Sequence, residues 1–387
     1  MRRRTGTVLA GLLAASALAL GATPAAAGDG DGPGGSGHDG GLRIDQLQTI
    51  GTHNSYHLEA TPAEEALRAS IDPAGEAALE YGHPSLERQL AGEHVRQVEL
   101  DVFADPDGGR YASPLIRSLT HEGPYDPAMA RPGFKVLHLQ DVDYRSSCLA
   151  LVDCLTEIRS WSRAHGSHVP VTILLELKDE PLALPGVPYP LTVPVPWTGA
   201  LMTALDAQIR AVFPPRDLIT PDDVRGGRPT LESAVLRHAW PTVERSRGKV
   251  MFLMDNAGTY RTAYLAGHPS LRGRVLFTNS TPGQPDAAFV EENDPTGANG
   301  ARIADEVRRG YVVRTRADAD TVQARTGDTA QRDAALASGA QWVSTDYPVP
   351  GIAARFGTPY VAELPGGATV RCNPVTAPAR CTAPSRP

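Results

Sequence analysis

Past its N-terminus the chain has no uninterrupted apolar run of about eighteen residues, which excludes a membrane-spanning helix from the body of the protein. Its four cysteines include no CxxC pair, which argues against a zinc site built from them. Nor is there an excess of basic residues, since the formal net charge is −7. That balance disfavours nucleic acid as a partner and a strong general attraction to anionic membranes, while leaving a lipid substrate open. No internal repeat is visible, so a repeat architecture is not expected.

What is present begins with Arg2, Arg3 and Arg4, an apolar run over 8–20 that is too short to cross a bilayer, and Ala25, Ala26 and Ala27 before Gly28. This is the pattern of a cleaved signal peptide over residues 1–27. A Gly/Asp-rich linker follows over 28–41, the catalytic domain is expected over 42–360, and a tail rich in Pro, Gly and Ala occupies 361–387. An exported protein meets an oxidising compartment, and the cysteines fall in two local pairs, Cys148 with Cys154 and Cys372 with Cys381. Two short-loop disulfides are the simplest pairing, the second stapling the tail as a C-terminal strap. The mature protein is expected to be secreted and monomeric.

Eight short apolar or β-branched runs recur, at 47–51, 95–103, 134–139, 171–177, 249–254, 274–277, 311–314 and 341–344. Most are apolar at consecutive positions, as in parallel strands covered on both faces. Helix-like stretches lie between them, at 84–93, 149–165, 197–213, 300–309 and 321–338, which meets the crossover requirement of a parallel sheet. This alternation predicts an α/β fold, a closed (β/α)8 TIM barrel, with a doubly wound open sheet as the alternative. The proline-rich stretch 182–196 reads as a long loop at the C-terminal end of the fourth strand, where barrels build their sites.

Four of the first strands end on polar residues instead of continuing their apolar pattern. The first runs into Thr52, His53, Asn54 and Ser55; the second carries Glu99 and Asp101; the third ends at His138; the fourth ends at Glu176 and Lys178. A period of two sets Glu99 and Asp101 on one face of their strand, with Val98, Leu100 and Val102 on the other. Two like charges side by side in a barrel mouth are costly unless a cation lies between them. With Glu176 and the side-chain carbonyl of Asn54 they make an all-oxygen set suited to one hard divalent ion. Calcium fits best: magnesium tolerates fewer protein ligands, and zinc is expected to recruit His53 or His138 directly.

The order of these residues resembles the catalytic barrel of phosphatidylinositol-specific phospholipase C in its calcium-dependent branch. That family carries His-Asn after the first strand, Glu-x-Asp in the second, a second His at the third and a Glu at the fourth, as His53-Asn54, Glu99-Leu100-Asp101, His138 and Glu176 do here. The resemblance covers 42–347 and implies Asn54, Glu99, Asp101 and Glu176 as calcium ligands, with His53 and His138 as the paired histidines. Arg314-Thr315-Arg316 looks like the family's Arg-x-Tyr substrate segment, with Arg316 where an aromatic is expected to stack on inositol. Lys178 is a second departure, because Glu-x-Lys is closer to glycerophosphodiester phosphodiesterases. Their first-strand signature is His-Arg-Gly, and here it reads His53-Asn54-Ser55.

The implied reaction is calcium-assisted attack of the inositol 2-hydroxyl on phosphorus, giving diacylglycerol and a cyclic inositol phosphate. In one division of labour His53 donates to the phosphoryl oxygen, His138 protonates the leaving oxygen and Glu99 or Glu176 is the base. In the other the two histidines share acid and base work. Lys178 and Arg314 are candidates for the phosphate; Arg316, Ser344, Asp346 and Tyr347 are candidates for the polyol headgroup. His57 lies beside the first motif without a role. The substrate is expected to be a phospholipid, at a membrane surface or dispersed. The rivals are a glycerophosphodiester phosphodiesterase and an inactive barrel that binds lipid headgroups.

Overall fold

The computed structural model describes residues 41–184 and 188–384. The expected signal peptide, and the linker except Gly41, lie outside the described residues. One sheet contains β1 (Leu47–Thr52), β2 (Gln97–Asp105), β3 (Gly133–Val136), β4 (Val171–Lys178), β5 (Leu218–Ile219), β6 (Val250–Met254), β7 (Leu276–Thr278), β8 (Phe289–Glu291), β9 (Val312–Arg316), β10 (Trp342–Thr345) and β11 (Arg371–Cys372). Parallel pairing runs β1 to β2, β4, β6 and β7, and again from β8 through β9 and β10 back to β1. A parallel bridge from Asn279 to Phe289 joins β7 to β8 and closes the barrel.

The expected barrel is therefore the observed one, but one stave differs. The run at 134–139 is β3, which pairs antiparallel with the outer half of β2, Val102 opposite Val136 and Asp105 opposite Gly133. A short apolar run does not encode strand direction, so periodicity alone could not separate the two. The missing stave is β8, three residues long, reached from β7 through a loop without a helix. The predicted helix at 321–338 is two helices, Val322–Thr326 and Ala330–Ser338, broken where Gly327 takes a positive φ of 71°.

Alternation explains the layers. Val98, Leu100 and Val102 of β2 pack outward in one core with Ile173, Leu175 and Leu177 of β4 and with Leu155 and Ile158 of the helix Leu151–Ala164. Each such buried side chain contributes about 1.5–3 kcal/mol relative to exposure. Glu99 and Asp101 are left on the inner face. Gly51 sits where β1 meets β2, and a Cβ there would fall 1.8 Å from Gln97 Oε1.

Two disulfides, Cys148–Cys154 and Cys372–Cys381, are formed as expected. The tail is stitched to the barrel as well as stapled: β11 pairs antiparallel with Leu47 and Gln48 of β1, and Ala362 and Leu364 are buried with Ile50 and Val343. Two helices that the sequence reading did not anticipate, Pro62–Ile71 and Pro73–Ala78, follow β1. Thr61 and Glu64 form a capping box at the start of the first, and Asp72 caps the second.

Candidate active site

The β2–β4 register sets Asp101 beside Glu176 and Glu99 two residue pairs below, beside Leu174. Oxygens of Glu99, Asp101 and Glu176 lie within 4.8 Å of one another. Both carboxylate oxygens of Asp101 are buried and accept no hydrogen bond of ordinary geometry among the described residues, although the Tyr56 hydroxyl and Lys178 Nζ stand near them. Burial, and then Glu176, push its carboxyl well above the ordinary range. Burial also raises Glu99 to about 7, against the pull of Arg314. Asn54 joins this corner from the end of β1, in a left-handed conformation (φ 43°) that asparagine tolerates. Its Nδ2 donates to the Tyr81 hydroxyl at 2.9 Å, leaving Oδ1 to the Tyr56 hydroxyl at 3.4 Å, and Tyr56 also feels the charge of Asp101.

Two cations answer part of this charge. Lys178 Nζ lies 3.0 Å from Glu176 and 3.5 Å from Asp101. The Arg314 guanidinium bonds Glu99 and lies 2.8 Å from Glu291, whose neighbour Asp255 is also held well above its ordinary value by burial and by Glu291. Five carboxylates thus face two cations. The stranded oxygens of Asp101 and the oxygen-only donor set fit a divalent ion of the calcium type. Lys178 competes for the same carboxylates, so Lys178→Met is expected to tighten calcium binding about tenfold, measured by calorimetry. Unchanged or weaker binding would remove Lys178 from that competition.

The two predicted histidines each rest on a carboxylate. His53 Nδ1 is 3.0 Å from Asp346 Oδ1, and its Nε2 is 3.9 Å from Glu99. Burial, followed by Arg316 and Arg314, holds His53 well below its ordinary value, so the ring is neutral. With Nδ1–H donated to Asp346, Nε2 keeps its lone pair. His138 Nδ1 is 2.8 Å from Asp143 Oδ2. Both rings line a cleft of about 480 Å3 with Arg316 and Asp346. Ile71, Leu79, Leu139, Val142, Leu182 and Leu184 form its apolar wall. The last two come from the proline-rich loop, which Trp197 anchors by stacking on Phe134 and donating its backbone N–H to Asp179.

The sequence itself decides the family. Residues 42–374 match the family described as phosphoinositide phospholipase C, Ca2+-dependent. The chain belongs to that family. Among solved structures it is similar to a calcium-dependent phosphoinositol-specific phospholipase C from a Gram-negative Pseudomonas species, with 15% identity, TM-score 0.51, and coverage of 86% of this chain and 95% of that one. It is also similar to a Ca2+-dependent phosphatidylinositol-specific phospholipase C from Streptomyces antibioticus, with 17% identity, TM-score 0.50, and coverage of 79% and 95%. Identities this low bear on the fold alone. Comparison with curated protein sequences gives no match.

Within this phospholipase C barrel several expected substrate residues sit elsewhere. Arg314 is 1% exposed, and its guanidinium bonds Glu99, Glu291 and Asn293 inside the barrel, where it holds the carboxylates in place. Ser344 is fully buried and accepts from Arg314 at 3.2 Å. Tyr347 turns away into an aromatic cluster with Tyr81 and Tyr360. These placements share a cause, because each residue's direction depends on the pleat and closure of β9 and β10, which no local pattern reports. Arg316 does reach the cleft, paired with Asp346 at 3.3 Å. The sequence reading missed Asp143, which has no strand-end signal, and also Asp255, which directly follows β6 much as Glu176 stands near the end of β4.

Proposed function

We propose that this enzyme is an exported, calcium-dependent phosphodiesterase that cleaves phosphatidylinositol into diacylglycerol and an inositol phosphate. The observation that carries the reading is the group Glu99, Asp101 and Glu176, with both Asp101 oxygens stranded, beside two carboxylate-supported histidines. The signal-peptide pattern and the two disulfides support export. Among the described residues no helix is long and apolar enough to cross a membrane.

Asn54, Glu99, Asp101 and Glu176 are the residues to hold calcium, which when bound supplies positive charge to a non-bridging phosphate oxygen. The neutral ring of His53 supports a base role, its Nε2 taking the proton of the inositol 2-hydroxyl while Asp346 steadies the imidazolium that forms. His138 protonates the leaving diacylglycerol oxygen. The apolar wall accommodates the glycerol and proximal acyl carbons, and Arg316 offers a guanidinium to the headgroup hydroxyls.

The test is release of diacylglycerol and inositol phosphate from phosphatidylinositol vesicles, with calcium and with chelator. Turnover in calcium alone is expected. Faster cleavage of glycerophosphoinositol than of the diacyl lipid would transfer the assignment to the glycerophosphodiesterase class. Absence of turnover on either would leave a headgroup-binding barrel.

A further inference from the structure

His57 is completely buried, stacked on Tyr81 with ring centroids 4.6 Å apart. Both of its ring nitrogens face acceptors. Nδ1 is 2.9 Å from the Tyr81 carbonyl, and Nε2 is 2.9 and 3.1 Å from the two oxygens of Asp143. A neutral imidazole has one N–H, so only the imidazolium satisfies both bonds.

Asp143 is therefore crowded with donors. Arg68 gives it a bond of 2.8 Å from the helix Pro62–Ile71 and is itself paired with Glu76. Its Oδ2 then takes His138 Nδ1 at 2.8 Å. Oxygen and nitrogen atoms of His57, His138 and Asp143 lie within 4.8 Å of one another, a spacing that also suits a metal. The Arg68 guanidinium on the same carboxylate argues against one.

We propose that His57 is a positioning residue: as a fixed buried cation it locks Asp143 against His138 and cancels part of its charge, making His138 a stronger acid toward the leaving group. This rests on the reading of His138 as the general acid. An ordinary Asp–His pair stabilises imidazolium and makes a reluctant donor; a carboxylate already shared with His57 and Arg68 does so less. The other charged groups lining the cleft with His138 are His53, Arg316, Asp320 and Asp346, with Asp72 and Glu76 on the side of Arg68.

His57→Gln keeps a donor for Asp143 and removes the charge, which lies about 6.1 Å from the His138 ring. The His138 pKa, followed by imidazole NMR and assigned by its loss in His138→Asn, is expected to rise by about one to two units. The alkaline limb of the kcat/KM profile is expected to move with it. An unmoved His138 titration in a folded variant would overturn the proposal, as would zinc bound stoichiometrically by His57, His138 and Asp143. Should the variant not fold, the wild-type His57 ring decides: two N–H protons at pH 7 support the proposal, and one overturns it. The NMR readouts need no turnover, so an enzyme inactive on phosphatidylinositol would sink the substrate assignment separately.

Discussion

Asp101→Asn is expected to lower kcat/KM in saturating calcium by about 10^3-fold, and at the same time to raise the melting temperature of the calcium-free protein. The two effects have one source. In the folded chain Asp101 is a buried carboxylate whose oxygens accept no hydrogen bond of ordinary geometry, with Glu176 beside it and Lys178 at 3.5 Å as partial relief. Leaving such a group unsatisfied costs about 1–3 kcal/mol, and a near-isosteric amide removes the charge. At about 2–4 °C per kcal/mol for a chain of this size, the gain should be about 5 °C in chelator. Asp101 and Glu99 both have folded-state pKa values raised above the unfolded ones. Their contribution to stability is therefore full below about pH 4 and is lost as pH rises through the folded values, about 7 for Glu99 and well above the ordinary range for Asp101. The calcium-free protein should lose melting temperature across that window, while added calcium, which binds the ionised acids, should restore more of it at each step. Thermal scans with and without calcium between acid and mildly alkaline pH read this directly. A calcium-induced shift that is the same at every pH, or an Asp101→Asn enzyme of wild-type activity, would show that these acids are not the ion's ligands.

How much of this was legible in advance depends on how local each signal is. Glu99 and Asp101 could be set on one face because a period of two is a property of the strand itself, and Asp101 meets Glu176 because β2 and β4 are neighbours in register. His138 was found for an imperfect reason. The strand before it runs antiparallel, but the chain still leaves β3 at the mouth of the barrel, where Asp143 follows on the same loop. The inward placement of Arg314 and Ser344 was not legible, because it arises only once β9 and β10 close onto β8 and β1, and β8 was too short to see. The helices that carry Arg68 and Glu76 were readable, the first from the capping box of Thr61-Pro62 and Glu64 and the second from Asp72-Pro73, signals that the apolar counting passed over. What no local pattern offered was the sharing of Asp143 between two imidazoles, which joins loops far apart in sequence.

The second large effect separates the histidines from one another. His138→Ala is expected to slow cleavage of phosphatidylinositol by about 10^2–10^4-fold, the range of a positioned general acid. His53→Ala should cost a similar factor. The distinction lies in the leaving group. Diacylglycerol departs as an alkoxide of high basicity and needs a proton as the bond to phosphorus breaks, whereas a nitrophenolate leaves without one. With an inositol nitrophenyl phosphodiester, His138→Ala should recover to within about tenfold of wild type, because the missing function is no longer required. His53→Ala should remain as impaired as before, since the attacking hydroxyl still has to lose its proton to the Nε2 that faces Glu99 across 3.9 Å. Equal recovery of both variants would mean that the two rings do not divide base and acid work as their carboxylate partners, Asp346 and Asp143, imply. Recovery of His53→Ala alone would exchange their roles.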